Sequence, residues 1–127
     1  ESMYNTPPVF PVYASLLTLQ WLKNLGGIAA VEKLNEAKAN LLYAEIDRNP
    51  LFKGAAVKEA RSVMNATFLL ADETHQEKFD AMWKAAGISG LAGHRSVGGY
   101  RASMYNALPI ESVQVLVEVM QALENSI

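Results

Sequence analysis

The sequence predicts a mixed α/β domain, an α+β sandwich in which a short sheet is covered by helices. Three observations predict it. Apolar residues recur at helical spacing in four stretches, they alternate inward and outward over residues 62–71, and a glycine pair at residues 98–99 suits a sharp turn between two further short strands. At 127 residues, half of them hydrophobic, the chain has the size of one domain with one moderate core.

Pro11 suits the first turn of a helix, where its missing N–H costs nothing, and the residues after it favour helix through Leu25, ended by Gly26 and Gly27. Val12, Leu16, Leu19 and Leu22 make one stripe and Tyr13, Leu17 and Trp21 another, which predicts a helix covered on most sides. The uncharged run from Pro7 to Leu22 holds sixteen residues and opens with prolines. That is too short for a membrane span, which needs about 20 apolar residues.

A second helix is expected from Ile28 to about Arg48, with Val31, Leu34, Ala37, Leu41 and Ile46 inward and Glu32, Lys33, Glu36, Asn40 and Glu45 outward. After a short polar link, Met64, Ala66, Phe68 and Leu70 alternate with polar neighbours as a half-buried strand over Ser62 to Ala71. Asp72 or Thr74 caps a third helix, roughly His75 to Ala86, with Phe79, Met82 and Trp83 as its stripe and Gly87 as its end. Two short strands follow, Leu91 to Arg95 and Tyr100 to Tyr105. The last helix runs from Ile110 to Leu123, turning Val113, Leu116, Val117, Met120 and Leu123 inward.

Eleven basic and thirteen acidic residues leave a net charge of -2, so no broad field points toward nucleic acid or an anionic membrane. Without cysteine there are no disulfides, thiolate metal sites or cysteine nucleophiles, a composition that suits a reducing cytoplasmic setting. The first residue is Glu1 and the first apolar stretch has no basic leader, so we expect a piece of a longer polypeptide.

Chemistry concentrates in Gly93-His94-Arg95-Ser96-Val97-Gly98-Gly99-Tyr100-Arg101. Guanidinium forks match carboxylate and phosphate oxygens, an imidazole adds a donor, and glycines let the main chain approach a ligand. The physical reading is an anion site; the alternative is two surface charges on a hairpin beside a satisfied histidine. Asn5 and Thr6, followed by two prolines, either bind a ligand or lead into the helix. His75 beside Asp72, Glu73 and Glu77 matches no metal motif, and there is no nucleophile elbow, phosphate-binding loop or dinucleotide fingerprint.

The blocks Ser2-Met3-Tyr4-Asn5-Thr6-Pro7-Pro8, Trp21-Leu22-Lys23 with Gly26-Gly27, Arg61-Ser62-Val63-Met64-Asn65, Leu70-Ala71-Asp72, and Gly93-His94-Arg95 through Arg101-Ala102-Ser103-Met104-Tyr105-Asn106 resemble phosphoserine aminotransferases in order and spacing over nearly the whole chain. The resemblance implies the aspartate-aminotransferase type of fold (fold type I). Residues 1–10 would be the tail of the large domain that binds pyridoxal 5'-phosphate, and residues 11–127 the small C-terminal domain with its linking helix. The implied reaction converts 3-phosphohydroxypyruvate and glutamate to O-phosphoserine and 2-oxoglutarate in serine biosynthesis, with a further link to pyridoxine biosynthesis. Carried over by motif, Arg101 would hold the substrate α-carboxylate, and His94 and Arg95 the distal anion. Asn5 and Thr6 would hold the cofactor phosphate of the neighbouring subunit in a homodimer. None of the lysines from Lys23 to Lys84 matches the family's cofactor-anchoring motif, so the chain alone is expected to be inactive and to hold no covalent cofactor. The competing reading is a free-standing, non-catalytic anion-binding or interaction module.

Overall fold

The computed structural model describes residues 4–96 and 98–127; residues 1–3 and Val97, which fall in two of the blocks above, lie outside the described residues. The chain divides into two compact units, residues 1–33 and 34–127.

In the first unit, Tyr4 to Pro8 lead into helix α1 (Val9–Asn24), with Pro11 in its first turn as the sequence predicts. A Gly-closed cap ends α1: the Gly27 N–H donates to the Leu22 carbonyl at 3.0 Å and the Gly26 N–H to that of Lys23 at 3.1 Å. Gly26 sits at φ +106°, which glycine adopts without a Cβ clash. Helix α2 (Ile28–Arg48) begins directly after it. Neither stripe of α1 is covered, and none of its residues is buried.

The second unit begins within α2 and continues through strand β1 (Phe52–Gly54), strand β2 (Asn65–Leu70), helix α3 (Gln76–Ala85), strand β3 (Tyr100–Ser103) and helix α4 (Ile110–Glu124). The strands form one antiparallel sheet in the order β1-β2-β3, with Phe68 opposite Gly54 on one side and Tyr100 on the other. The period-2 pattern in β2 holds: Ala66, Phe68 and Leu70 are buried and their alternates only half so. Phe52, Phe68, Phe79 and Tyr100 meet at ring separations of 5.0–6.5 Å, mostly edge to face. Leu42 and Ile46 of α2, Phe79 and Trp83 of α3, and Leu116, Val117, Met120 and Leu123 of α4 complete the same core. The mixed fold, with four helices and a short sheet, is the one the sequence predicts.

Several details differ. The first of the two expected late strands shrinks to one bridge, Ala92 with Tyr100, because the chain turns at Arg95–Ser96 before a ladder extends. The third strand is instead β1, whose three residues are too few to show a period. In α2 the expected inward face holds only in part. Val31 and Ile46 are buried and Leu41 packs against the core, but Leu34 and Ala37 are exposed, while Asn35, Lys38 and Glu45, with Asn49 just past the helix, are buried with Ala39 and Leu42. Lys38, Glu45 and Asn49 are inside because each finds partners there, the condition on which burial of a polar or charged group depends, while Asn35 is bonded through Nδ2 alone and its Oδ1 has no partner among the described residues.

Glu45 illustrates the point. It accepts hydrogen bonds from Arg48 (Nε 3.0 Å, Nη2 2.8 Å), Asn49 Nδ2 (2.9 Å) and Gln121 Nε2 (3.1 Å), and Asn49 Nδ2 also reaches the Met120 carbonyl. Burial pushes the Glu45 carboxyl pKa up, but the bonds from Arg48, Asn49 and Gln121 outweigh it and hold the group below its usual value. On the opposite edge of α2, Asp47 receives a bidentate fork from Arg61 (3.0 and 2.6 Å) and the Lys58 ammonium (3.0 Å), with the Arg61 guanidinium 4.6 Å from the Tyr43 ring centre. This pins the connection between β1 and β2 to α2.

Two outcomes are expected. Replacing Glu45 by Ala strands its donors in a largely closed site and should lower unfolding stability by about 2 kcal/mol in urea titration. Hydrogen bonds from Arg61 and then Lys58 depress the Asp47 pKa to about 2. The folded carboxyl then binds its proton less readily than the unfolded one, so this contribution is whole above about pH 4 and fades as pH falls through about 2. Carboxyl-carbon NMR should place the midpoint there, and Arg61→Gln should move it upward.

Candidate functional site

β3 places its middle residues by alternation. Tyr100 and Ala102 are buried, so Arg101 projects to the opposite face of the sheet, where it is exposed. Its backbone is held from both sides: it lies opposite Thr67 of β2, and its N–H donates to the Leu91 carbonyl at 2.8 Å. The start of the strand is held by a side chain as well. The Tyr100 hydroxyl donates to Asp80 Oδ1 at 2.9 Å, and the Trp83 indole N–H donates to the same oxygen at 3.0 Å. Burial first, and then the bond to Asp80, raise the Tyr100 pKa, so its hydroxyl remains a donor.

The loop before β3 is closed by main-chain bonds from the Gly93 N–H to the Gly99 carbonyl and from the Gly98 N–H to the His94 carbonyl, both 2.8 Å. Gly93 has no room for a side chain, because a Cβ would stand 2.2 Å from the Gly98 carbonyl oxygen. Gly99 combines φ +67° with the same crowding, its would-be Cβ lying 2.4 Å from Leu69 Cδ2. Within this closure the chain turns at Arg95–Ser96, and His94, Arg95 and Ser96 are all exposed.

His94 is oriented within this turn. Its Nδ1 lies 2.7 Å from Ser96 Oγ and accepts the Ser96 backbone N–H at 3.3 Å. A backbone N–H only donates, so this contact uses the Nδ1 lone pair, and a neutral ring making it carries its proton on Nε2. Among the described residues no carboxylate forms an ion pair with Arg95 or Arg101, whereas Arg48 and Arg61 are both paired. The hairpin thus offers one imidazole N–H and two unpaired guanidiniums, a donor set suited to a small dianion. Beside it a pocket of about 340 Å³ is lined by Arg101, Ser103, Ser89, Leu91, Ser112 and Leu116, among others.

The predicted site residues are therefore in two places. His94, Arg95 and Arg101 share one hairpin of the second unit. Asn5 and Thr6 are exposed in the first unit ahead of α1, and Pro8 rather than Thr6 occupies the N-cap. No group of three or more His, Asp or Glu residues able to hold a metal occurs among the described residues, which include His75 and its acidic neighbours. No described helix is long and apolar enough to cross a membrane.

Sequence reasoning overlooked two contributors. Ser96 orients His94, a role visible in sequence only as a hydroxyl two residues from an imidazole. Lys38 is buried and donates to the carbonyls of Met104 (3.2 Å), Tyr105 (2.7 Å) and Leu108 (3.1 Å), just past the end of β3. Burial lowers its pKa.

Comparison with known proteins bears on what this geometry serves. The Aminotransferase class-V family model matches residues 1–116. The chain is 80% identical over 127 residues to the phosphoserine aminotransferase of Flavobacterium psychrophilum, covering all of this chain and 36% of that protein. It is 52% identical over 126 residues to that of Porphyromonas gingivalis strain W83, covering 98% and 35%. Among solved structures, phosphoserine aminotransferase from Bacillus circulans subsp. alkalophilus superposes with a TM-score of 0.92 at 43% identity, covering 98% of this chain and 35% of that one. The pyridoxal-phosphate-bound enzyme from Trichomonas vaginalis does so at 0.85 and 41%, covering 94% and 34%. The chain spans about a third of the length of these relatives. With the family match running through both the proline-led entry to α1 and the arginine hairpin, the chain belongs to the class-V aminotransferases.

Proposed function

We propose that these residues form part of a pyridoxal-phosphate-dependent phosphoserine transaminase and supply the grip on its substrate anions. The observation that carries this reading is the hairpin: Arg101 stands outward on a strand fixed from both sides, unpaired with any described carboxylate, on the same glycine-closed loop as Arg95 and the Nε2–H of His94. Arg101 takes the substrate α-carboxylate as a two-pronged fork. His94 and Arg95 take the distal group, which is a phosphate in phosphoserine and 3-phosphohydroxypyruvate and a carboxylate in glutamate and 2-oxoglutarate. A guanidinium serves both, since each presents a pair of oxygens at similar spacing. Holding both ends of the substrate fixes the bond to be broken, which is where positioning lowers a barrier.

The neutral donors of Asn5 and Thr6, exposed ahead of α1, have the chemistry a phosphate ester takes, so the cofactor phosphate of a neighbouring subunit in a homodimer fits them. Pyridoxal phosphate, when bound, supplies the electron sink for amino transfer. The lysine that anchors it belongs to polypeptide beyond these residues, so the 127-residue chain has no transaminase activity of its own. In this reading residues 1–10 are the tail of the cofactor-binding domain and residues 11–127 the small domain of a cytoplasmic enzyme of serine biosynthesis, with the pyridoxine branch as a further use.

In the full-length enzyme containing this stretch, Arg101→Ala should lower kcat/KM for both glutamate and phosphoserine about a thousandfold, by loss of a charge-assisted fork. Arg95→Ala should also weaken both substrates. Transamination at wild-type efficiency in Arg101→Ala would sink the assignment and favour a non-catalytic anion module. Gly93→Ala should lower phosphoserine affinity more than overall stability, checked by titration calorimetry beside thermal unfolding, because its Cβ collides with the loop closure alone.

A further inference from the structure

We infer that Lys38 is a positioning residue for Arg101, acting through the turn that follows β3. An ammonium group has three donors, and here all three go to main-chain carbonyls of one short segment: Met104, Tyr105 and Leu108. These bonds join parts of the chain 66 to 70 residues apart, and no carboxylate pairs with the amine among the described residues. One turn earlier on α2, Asn35 Nδ2 donates to Asn106 Oδ1 at 2.8 Å, so the same segment is gripped twice.

The segment matters because of what precedes it. β3 ends at Ser103, the Met104 N–H still donates to the Met64 carbonyl at 2.8 Å, and Arg101 lies three residues before Met104, about 10 Å along an extended strand. The strand is tied at its start by the Tyr100–Asp80 bond and at its end by the Lys38 ammonium. The guanidinium between these ties is held in register and in direction. Loss of the rear tie lets the end of the strand shift, and anion forks tolerate only a few tenths of an ångström before binding suffers. Stability alone gives little reason for an unpaired buried ammonium, since apolar packing usually equals or exceeds it.

This inference rests on the reading of Arg101 as the carboxylate anchor, so the experiment separates the two. In the full-length enzyme, wild type, Lys38→Met, Lys38→Arg and Arg101→Ala are compared by steady-state kinetics with glutamate, and by amide hydrogen exchange over residues 100–108. Lys38→Met keeps the apolar stem and removes the donors. It should raise KM for glutamate about tenfold with kcat within about twofold, because a displaced fork weakens ground and transition states alike. Exchange at Arg101 to Met104 should accelerate, and Lys38→Arg, which keeps a cation and its donors, should recover part of both.

A merely structural lysine would behave differently: a smaller folded fraction lowers apparent kcat and leaves KM where it was. An unchanged KM, or unchanged exchange over 101–104, overturns the inference. If Arg101→Ala leaves KM unchanged, the anchor reading fails, while the exchange data still decide whether Lys38 governs the strand. Should Lys38→Met not fold, Lys38→Gln, which retains an N–H pair, is read by the same two measurements.

Discussion

One-sided burial of a three-stranded sheet governs this part of the chain. Phe68, Tyr100 and Ala102 enter the core, so their neighbours in β2 and β3 are sent to the other face by the period of the strand. Arg101 falls on that outer face by arithmetic, with Thr67 directly across from it. A slip of one residue in β3 would put a guanidinium among phenylalanines, so the same core that stabilises the fold also fixes the direction in which Arg101 projects.

The second organising element is the polar side of α2. Asn35, Lys38 and Glu45 recur along one face of the helix and, with Asn49 just past its end, bury beside Leu42 and Ile46. Two of them hold the turn after β3, and the other two hold α4 through Gln121 and the Met120 carbonyl. Polar side chains on this helix and at its end thereby set the position of two later elements. Directional bonds of this kind specify an arrangement more narrowly than apolar contact does.

Much of this was legible in the sequence. Strict alternation marked β2 and glycine marked the ends of α1 and α3, where local chemistry decides the outcome. The arginine hairpin was legible because its residues are adjacent in the chain. The buried polar positions of α2 were not, because periodicity scores lysine and glutamate as outward and has no access to the carbonyls some 70 residues away that satisfy Lys38, or to the side-chain donors that satisfy Glu45. Ala92 was read as part of a full strand for a related reason: pairing needs a partner of matching length, and the turn at Arg95–Ser96 leaves room for one bridge.

The shared acceptor Asp80 Oδ1 has an optical consequence. Trp83 gives its indole proton to that oxygen beside the aromatic core, while Trp21, the other tryptophan, stands partly exposed on α1 in the first unit. Each unit thus contains its own fluorophore in a different dielectric surrounding. A soluble quencher will extinguish the red-edge emission of Trp21 well before it reaches the blue-edge emission of Trp83, and the two halves of the spectrum can be followed separately as the chain is unfolded.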